Sequence, residues 1–399
     1  MRVLQINANF GFSSTGLIVK DIADQIKKDG LEPFCAYQKT NAPVNNGYQI
    51  GNKFDWKLHA FFSRILGRQG YYSYFATKKF LKYIDKIKPD VIHLHNLHSN
   101  YININLLLKF IAKKDIPTII TFHDCWFFTG KCFHYVDFSC DRYKTGCGKC
   151  PKKKAPPKSL IFDFSSQVLK NKIKRLTAIP RLKIIGCSDW ICNEAKNSLL
   201  KDCDISRIYN GVDINVFCPK NTENLRNELG ASDNFLVLGM ANKWFLDQNI
   251  SLIEKVKTLP NTKLILVGCN ENQLRFLKEN HSEVIGVGFV KDREELARYY
   301  SVADVFVNLT FADTLPTVNM ESICCGTPVI TYDGCGSPEL VDKDCGVIVK
   351  KGDTDGIINA LNNIRETDFS DCYKIGQEKF DKNKCYKEYI KEYSRLCTR

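Results

Sequence analysis

The sequence predicts an α/β protein made of two doubly wound domains that face a cleft. At 399 residues the chain is long for a single hydrophobic core. Apolar, strand-like runs alternate with amphipathic helical runs in both halves, which is typical of parallel sheets covered by helices. A turn-rich segment at residues 209–219 interrupts this alternation. We therefore predict an N-terminal domain at 1–208, a C-terminal domain at 209–373 and a tail at 374–399.

The first domain begins with an apolar strand at residues 3–8, a glycine-bearing loop, and a helix from about Leu17 to Lys28. The pattern then repeats along the domain. The later elements are predicted helices at 75–87 and 102–114, and predicted strands at 91–95, 118–122 and 183–187. Because helices join successive strands, we expect a parallel sheet.

The second domain repeats this alternation independently. Its predicted strands lie at 235–240, 264–268, 284–289, 304–309 and 329–332, and its predicted helices at 250–258, 271–280, 294–302 and from about Pro316. The tail is amphipathic at 374–396 and is predicted to form one helix that packs back on the first domain.

The composition is that of a folded, soluble protein and argues against a membrane-spanning one. Hydrophobic residues make up 44% and charged residues 25% of the chain. We find no run of about eighteen apolar residues, and the N-terminus turns polar too early for a signal peptide. Most of the 18 cysteines stand singly in apolar segments, where cysteine behaves as a small core residue. We expect a cytoplasmic protein with reduced thiols.

Positive charge is concentrated in the first half. The formal net charge is +13, and Lys and Arg far outnumber Asp and Glu in residues 53–88 and 144–183. Aromatic residues crowd the first block, and a basic, aromatic surface favours an anionic membrane interface. A solvated face, with the aromatics packed into the core, is the alternative. No nucleic-acid recognition motif accompanies the charge, so we expect no nucleic-acid partner.

The segment D-T-L-P-T-V-N-M-E, residues 313–321, predicts an anion site at the start of a helix. Proline is favoured in the first helical turn, because its missing N–H would have no partner there. The first amides of such a helix point outward and bind phosphate. These amides belong to Thr317, Val318 and Asn319.

Two carboxylates flank the predicted anion site. Asp313 precedes it and Glu321 lies about one turn inside the helix. Both can accept hydrogen bonds from hydroxyl groups on either side of a diphosphate, which is the chemistry of a nucleotide sugar. The alternative is that Asp313 only caps the helix and Glu321 is a solvated helix residue.

Several motifs resemble those of the retaining glycosyltransferases of family 4, which have the GT-B fold of two Rossmann-like domains. That family carries a Glu-x7-Glu motif, and here Asp313-x7-Glu321 is followed by C-G-T-P-V-I. Further matches are N-G-V-D-I-N-V-F-C-P at 210–219, E-L-A-R-Y-Y-S-V-A-D-V-F-V-N at 295–308, G-C-G-S-P-E-L-V at 334–341 and G-V-I-V-K-K-G-D at 346–353. The motifs follow the family's order over essentially the whole chain.

The resemblance implies three residues in the catalytic centre. Glu321 takes the place of the acid that binds the nucleotide ribose. Asp313, shorter than the family's Glu, takes the place of the acid that binds the donor sugar. His123, in T-F-H-D-C-W after the strand at 118–122, matches a histidine that contacts the donor sugar from the first domain.

The resemblance also implies a set of donor-binding residues. They are Gly16 in the first loop, Asn210 in N-G-V-D, Lys243, Gln248, and the amides of Thr317, Val318 and Asn319. One departure concerns the clamp on the diphosphate, which in the family is an Arg and, five positions later, a Lys followed by Gly. In A-N-K-W-F-L-D-Q-N these places hold Lys243, Gln248 and Asn249. Losing one cation there would remove roughly 1.5–3 kcal/mol of binding.

A cysteine-rich insert at 125–151 separates His123 from the second basic block. Its thiols follow the order Cys-x7-Cys-x6-Cys-x2-Cys, formed by Cys132, Cys140, Cys147 and Cys150. Four thiolates suit a structural zinc ion, although the insert has one Cys-x2-Cys knuckle rather than two. Reduced, packed thiols or a disulfide are the alternatives. Similar inserts occur in a branch of the family from bacterial surface-polysaccharide pathways, which implies a role on the acceptor side.

The leading hypothesis is a retaining hexosyltransferase of surface polysaccharide biosynthesis. It would use a UDP- or GDP-sugar and a glycan or polyprenyl-diphosphate-linked acceptor, at the cytoplasmic face of the membrane as a peripheral protein. No cofactor is expected for catalysis. The alternatives are a degenerate transferase that serves as a binding or scaffold subunit, suggested by Gln248 and Asn249, and a sugar-nucleotide epimerase of the same fold.

Overall fold

The computed structural model describes residues 1–398, which form two compact units. The first unit contains Met1–Asn210 and the chain from Asn383, and the second contains Gly211–Lys382. The division between Asn210 and Gly211 falls inside the turn-rich segment of the sequence, two residues after the predicted boundary.

The first unit is a seven-stranded parallel sheet covered by helices. Its strands follow the order β3-β2-β1-β4-β5-β6-β7. The strands are β1 (Arg2–Phe10), β2 (Glu32–Thr40), β3 (Gly47–Gln49), β4 (Val91–Leu94), β5 (Thr118–Phe122), β6 (Leu182–Gly186) and β7 (Ile205–Arg207). The helices are α1 (Ser14–Lys28), α2 (Lys53–Leu66), α3 (Tyr74–Ile87), α4 (Ile104–Lys114), α5 (Ser165–Leu176) and α6 (Asp189–Lys196).

The second unit has a six-stranded parallel sheet in the order β10-β9-β8-β11-β12-β13. Its strands are β8 (Phe235–Met240), β9 (Thr262–Val267), β10 (Ile285–Val287), β11 (Val305–Asn308), β12 (Val329–Tyr332) and β13 (Gly346–Val349). The remaining helices are α7 (Glu223–Glu228), α8 (Ala241–Trp244), α9 (Ile250–Lys257), α10 (Glu271–Asn280), α11 (Arg293–Val302), α12 (Thr317–Cys324), α13 (Thr354–Ile364), α14 (Cys372–Phe380) and α15 (Lys382–Thr398).

Each sheet reverses its strand order once. In the first unit β1 lies between β2 and β4, and in the second β8 lies between β9 and β11. In open parallel sheets, ligands bind beyond the carboxyl ends of the strands at such a switch point. The fold therefore directs attention to the residues that follow β1, β4, β8 and β11.

The tail differs from the single predicted helix, because the chain turns at Asp381 between α14 and α15. α14 belongs to the second unit and α15 groups with the first. α15 buries Tyr386, Tyr389 and Tyr393 against a cluster that includes Val3. Burying aromatic side chains of this size contributes strongly to the core.

Most predicted strands and helices of the second unit lie within a few residues of the observed ones. In the first unit α1 begins at Ser14 instead of Leu17, and six elements were not predicted: β2, β3, β7, α2, α5 and α6. The predicted loop at Ser14–Gly16 is therefore the first turn of α1. Among residues 1–398, no helix is both long enough and apolar enough to cross a bilayer.

Candidate active site

The switch point of the second unit holds a buried carboxyl group. Glu321 lies in α12, directly beyond β11, and its side chain is 13% exposed. The Tyr300 hydroxyl donates to its Oε2 at 3.2 Å, and the Arg293 guanidinium lies 3.9 Å from its Oε1. Burial raises the pKa of Glu321 to about 7, while Arg293 and Tyr300 oppose the rise. The group is thus buried and only weakly compensated, which is typical of a functional site.

The loop between β11 and α12 positions Asp313. Its Oδ1 accepts a hydrogen bond from the Leu315 amide at 3.0 Å, and its carbonyl accepts one from Gly336 at 3.1 Å. These bonds fix the backbone of the loop immediately before the helix.

The start of α12 corrects the prediction of three free amides. Pro316 is the residue before the helix, not part of its first turn, and within residues 1–398 no side-chain hydrogen bond caps the helix start. The Asn319 amide donates to the Pro316 carbonyl at 3.1 Å. Two predicted amides remain for an anion, those of Thr317 and Val318.

The Asn319 side chain faces the interior of the second unit. Asn319 is buried, and Asn308 Nδ2 donates to its Oδ1 at 2.7 Å. Within residues 1–398 its Nδ2 has no hydrogen-bond partner. The side chain therefore links α12 to β11 and does not point outward as a ligand contact.

The residues at the places of the family's diphosphate clamp follow β8. Lys243 lies in α8 and is partly exposed, whereas Gln248 is exposed. Asn249 is buried, and its Nδ2 donates to the Lys243 carbonyl at 2.8 Å. Its φ of −112° is accessible to any residue, so replacing the family's glycine leaves the backbone unstrained.

In the first unit, His123 directly follows β5 and joins a buried polar row. His123 Nε2 lies 3.1 Å from His95 Nδ1, and His95 Nε2 lies 3.2 Å from Gln5 Oε1. Burial lowers the pKa of His123 to about 4, so its ring is neutral at physiological pH. Within the described chain the buried His123 Nδ1 has no partner.

Gly16 lies in the first turn of α1, close to the end of β1. A Cβ atom at this position would lie 3.2 Å from the backbone of Asn9. The Gly11 amide donates to the Gly16 carbonyl at 2.9 Å, which closes the turn between β1 and α1. Close packing thus explains the glycine at this position.

Asn210, the last residue of the first unit's main segment, is buried, and its Oδ1 lacks a partner among residues 1–398.

Sequence reasoning missed four polar residues of these sites. Tyr300 and Arg293 contact Glu321, and Gln5 and His95 support His123. One signal was present for the second pair. The strand motif V-I-H-L-H at 91–95 places two histidines in a buried strand, where unpaired polar groups are costly.

The four insert cysteines lie around one small cavity, which Cys132, Cys140, Cys147 and Cys150 line together. All four are free thiols, and the Cys147 Sγ accepts a hydrogen bond from the Gly130 amide at 3.2 Å. In residues 1–398, however, no three His, Cys, Asp or Glu side chains are already gathered as a metal-ligand set.

Two adjoining cavities of the first unit form a basic groove. They share Ala60, Gln69, Asn100 and Phe133. Their cationic lining consists of Lys39, Lys53, Lys57, Arg64, Lys131 and Lys158. No carboxylate of the described chain lines either cavity. The buried oxygens Gln69 Oε1 and Asn100 Oδ1 also lack partners there.

Two α/β units with parallel sheets and polar groups at each switch point define the GT-B class of fold. The family model described as Glycosyltransferase Family 4 matches residues 17–216, and the model described as Glycosyl transferases group 1 matches residues 232–366. The chain belongs to glycosyltransferase family 4.

Two curated relatives are similar over much of the chain. The glycosyl transferase WcaC of Escherichia coli (strain K12), assigned to colanic acid biosynthesis, is 25% identical over 66% of this chain and 64% of its own. The alpha-monoglucosyldiacylglycerol synthase of Acholeplasma laidlawii is 24% identical over 73% of this chain and 70% of its own. The chain thus spans roughly two thirds of the length of these relatives.

Solved structures share the fold along nearly the full chain. Sucrose-phosphate synthase from Thermosynechococcus elongatus has a TM-score of 0.71 at 16% identity, covering 99% of this chain and 98% of its own. Anabaena HepE in complex with UDP has a TM-score of 0.67 at 17% identity, covering 99% and 100%. At these identities the similarity establishes the fold alone.

Proposed function

We propose that the protein transfers a hexosyl group from a UDP- or GDP-sugar to a glycan or lipid-linked acceptor, with retention at the anomeric carbon. The observation that carries the proposal is the buried Glu321 carboxyl group beside the uncapped start of α12. A carboxylate next to anion-binding amides suits a ligand that joins hydroxyl groups to a diphosphate. Family membership supports the same chemistry.

In the proposed mechanism, positive potential stabilises the leaving diphosphate. The amides of Thr317 and Val318, with Lys243, would offset the charge that develops as the bond between the anomeric carbon and the phosphate oxygen breaks. The acceptor oxygen forms the new bond, and its proton passes to the departing diphosphate. Glu321 would hold the ribose, and Asp313 and His123 the donor sugar. The proposal calls for no catalytic metal.

We infer an anionic, membrane-held acceptor such as a polyprenyl-diphosphate-linked glycan. The basic groove supports this inference, because a diphosphate needs cationic partners. α2 and α3 also expose Phe54, Phe61 and Phe75, at 72%, 57% and 79%, next to lysines. Exposed aromatics with basic residues suit a peripheral position on an anionic bilayer. The relative WcaC is named for colanic acid biosynthesis, and we propose surface polysaccharide biosynthesis, at the cytoplasmic face of the membrane, as the setting.

A thermal-shift panel tests the proposal. We expect one of UDP, GDP and ADP, or its sugar conjugate, to raise the melting temperature selectively. Lys243→Ala should weaken binding of that nucleotide by about tenfold, since it removes one charged hydrogen bond. Lys278 is exposed, and Lys278→Ala should leave the binding unchanged. A water-soluble prenyl diphosphate should give a separate shift that Lys57→Ala with Arg64→Ala reduces. No shift with any nucleotide in folded protein would contradict the donor assignment.

The binding-subunit alternative is favoured by one observation, the exposed Gln248 at the place of the family's lysine. The same panel separates the two functions. If wild type fails to bind nucleotide but Gln248→Lys binds it, the site is intact and has lost its clamp. The protein would then be a degenerate transferase that serves as a binding subunit and not an enzyme.

We also propose a structural zinc ion in the cysteine-rich insert. Support comes from the four thiols around one cavity and from the hydrogen bond that the Gly130 amide donates to the Cys147 sulfur. Such a hydrogen bond stabilises a thiolate. Two nearly buried lysines, Lys131 and Lys172, lie in the same region and would balance the negative charge of four thiolates. The thiols would have to rotate inward to complete the ligand set.

Metal analysis of protein purified without added metal checks this proposal. We expect about one zinc ion per chain, and loss of zinc in Cys147→Ser with increased proteolysis within 125–151. Cys203→Ser, outside the insert, should retain the metal. Zinc-free wild type with a protease-resistant insert would mean that packed thiols alone stabilise it.

A further inference from the structure

Gln5, His95 and His123 form a buried row of hydrogen-bonded side chains. One backbone carbonyl determines which of their atoms donate and which accept. Gln5 Nε2 lies 3.1 Å from the carbonyl oxygen of Val19 in α1. A carbonyl oxygen only accepts hydrogen bonds, so the amide nitrogen of Gln5 must face it. The Gln5 oxygen consequently faces His95, where it can only accept.

The donor and acceptor roles of His95 and His123 follow from the orientation of Gln5. Because the Gln5 oxygen accepts, His95 Nε2 carries the hydrogen. Burial holds the pKa of His95 well below its usual range, so the ring has one hydrogen and its Nδ1 is an acceptor. His123 Nε2 must then donate to that Nδ1.

The far side of His123 is therefore an acceptor. With its hydrogen on Nε2, the neutral ring presents a lone pair at Nδ1, which is buried and has no partner in residues 1–398. An acceptor of this kind takes a hydroxyl or N–H donor and repels a phosphate or carboxylate oxygen.

We propose that Gln5 and His95 are positioning residues that fix His123 as the Nε2–H tautomer, so that its Nδ1 accepts a hydrogen bond from a ligand hydroxyl. Identifying that hydroxyl with the donor sugar rests on the proposed function; the tautomer does not. A donor lacking this hydroxyl would leave the buried Nδ1 unpaired and should bind or react poorly.

The tautomers can be read directly by long-range ¹H–¹⁵N correlation on histidine-labelled, ligand-free protein at pH 7.5. We expect His123 and His95 to show a protonated Nε2 and an unprotonated Nδ1, with His123→Gln providing the assignment. His59 is an internal control of opposite kind. The Gly70 amide donates to its Nε2 at 3.2 Å, so its hydrogen must lie on Nδ1, which contacts Ser73 Oγ at 2.7 Å.

A variant tests the relay itself. Gln5→Met removes the acceptor of His95 with little change in volume, so His123 should shift from one tautomer to a mixture. Thr121→Val is the matched control, because Thr121 contacts His93 Nε2 at 2.8 Å in the neighbouring buried network; it should leave His123 unchanged.

Either of two results would overturn the proposal. A protonated Nδ1 on wild-type His123 contradicts the tautomer and needs no variant to fold. An unchanged His123 in folded Gln5→Met contradicts the relay. Adding the nucleotide sugar afterwards tests the proposed function separately, since it should perturb Nδ1 without changing the tautomer.

Discussion

Replacing Glu321 with glutamine is expected to stabilise the free protein at pH 8 and to weaken nucleotide binding. The carboxyl group is 13% exposed, and burial raises its pKa from an ordinary 4.5 to about 7. The folded state therefore holds its proton at pH values where the unfolded state has released it. The associated stability is present below pH 4.5 and is lost as the pH rises through 7.

The size of the stability effect follows from the same shift. Each pKa unit corresponds to about 1.4 kcal/mol, so a rise from 4.5 to about 7 is worth about 3 kcal/mol at pH 8. Glutamine does not titrate, and the Tyr300 hydroxyl can still donate to its oxygen. We expect Glu321→Gln to raise the unfolding free energy by about this amount at pH 8 and by little at pH 4.5, as measured by urea denaturation.

The binding effect has the opposite sign. A carboxylate that accepts hydrogen bonds from ribose hydroxyls contributes about 1.5–3 kcal/mol, so Glu321→Gln should weaken the nucleotide by roughly ten- to a hundredfold. In wild type the affinity should rise between pH 6 and pH 8 as the carboxyl group ionises. Isothermal titration calorimetry at both pH values measures this change.

The exposed Glu366 offers a matched control. Glu366→Gln should change neither the unfolding free energy at pH 8 nor the nucleotide affinity. If Glu321→Gln instead binds nucleotide as wild type does and gains no stability at pH 8, Glu321 is a structural residue and the ribose contact lies elsewhere.

The strands that sequence reasoning located are those with continuous apolar runs. β8 and β12 were predicted with the bounds observed, because both are mostly apolar segments that begin directly after Asn234 and Pro328, respectively. β2 was missed because Pro33 and the polar residues at its end disguise it, although neighbouring strands bury its centre. β3 has three residues and lies at the sheet edge, so only its pairing with β2 defines it.

In the candidate site, too, the residues that are close in sequence could be predicted, and those brought together by strand order could not. Asp313 and Glu321 belong to one local motif, so their proximity to a helix start could be predicted. The row from Gln5 to His123 crosses three strands, β1, β4 and β5, whose adjacency depends on strand order. A single sequence fixes local periodicity more strongly than strand order, and the hydrogen-bond direction in that row was therefore not predictable.

Gly211→Ala is expected to destabilise the second unit strongly. Gly211 belongs to the N-G-V-D motif, which sequence reasoning placed in the turn-rich segment between the two domains. In the structure, a Cβ atom at Gly211 would lie 2.2 Å from the Lys382 Cα, far inside contact distance. The obstacle is backbone, which cannot rotate away as a side chain could.

The contact cannot be relieved without breaking hydrogen bonds. The Val212 amide donates to the Phe380 carbonyl at 2.7 Å, and the Lys382 amide donates to the Val212 carbonyl at 3.0 Å. The Lys382 ammonium also pairs with Asp213 at 2.8 Å. Separating the two segments to admit a methyl group would lengthen these bonds, so we expect a loss of about 2–4 kcal/mol.

Urea denaturation, followed by hydrogen exchange at the Val212 and Lys382 amides, measures the effect. Gly288→Ala is the control, because a Cβ at Gly288 would have no neighbour within 4 Å in the described part of the chain. This substitution should cost less than about 0.5 kcal/mol. Both amides should exchange faster in Gly211→Ala than in Gly288→Ala. Equal stability of the two variants would show that the segments part easily and that this glycine has another role, such as close approach of a ligand. The glycine of the motif would then be explained by the approach of a ligand and not by its packing against Lys382.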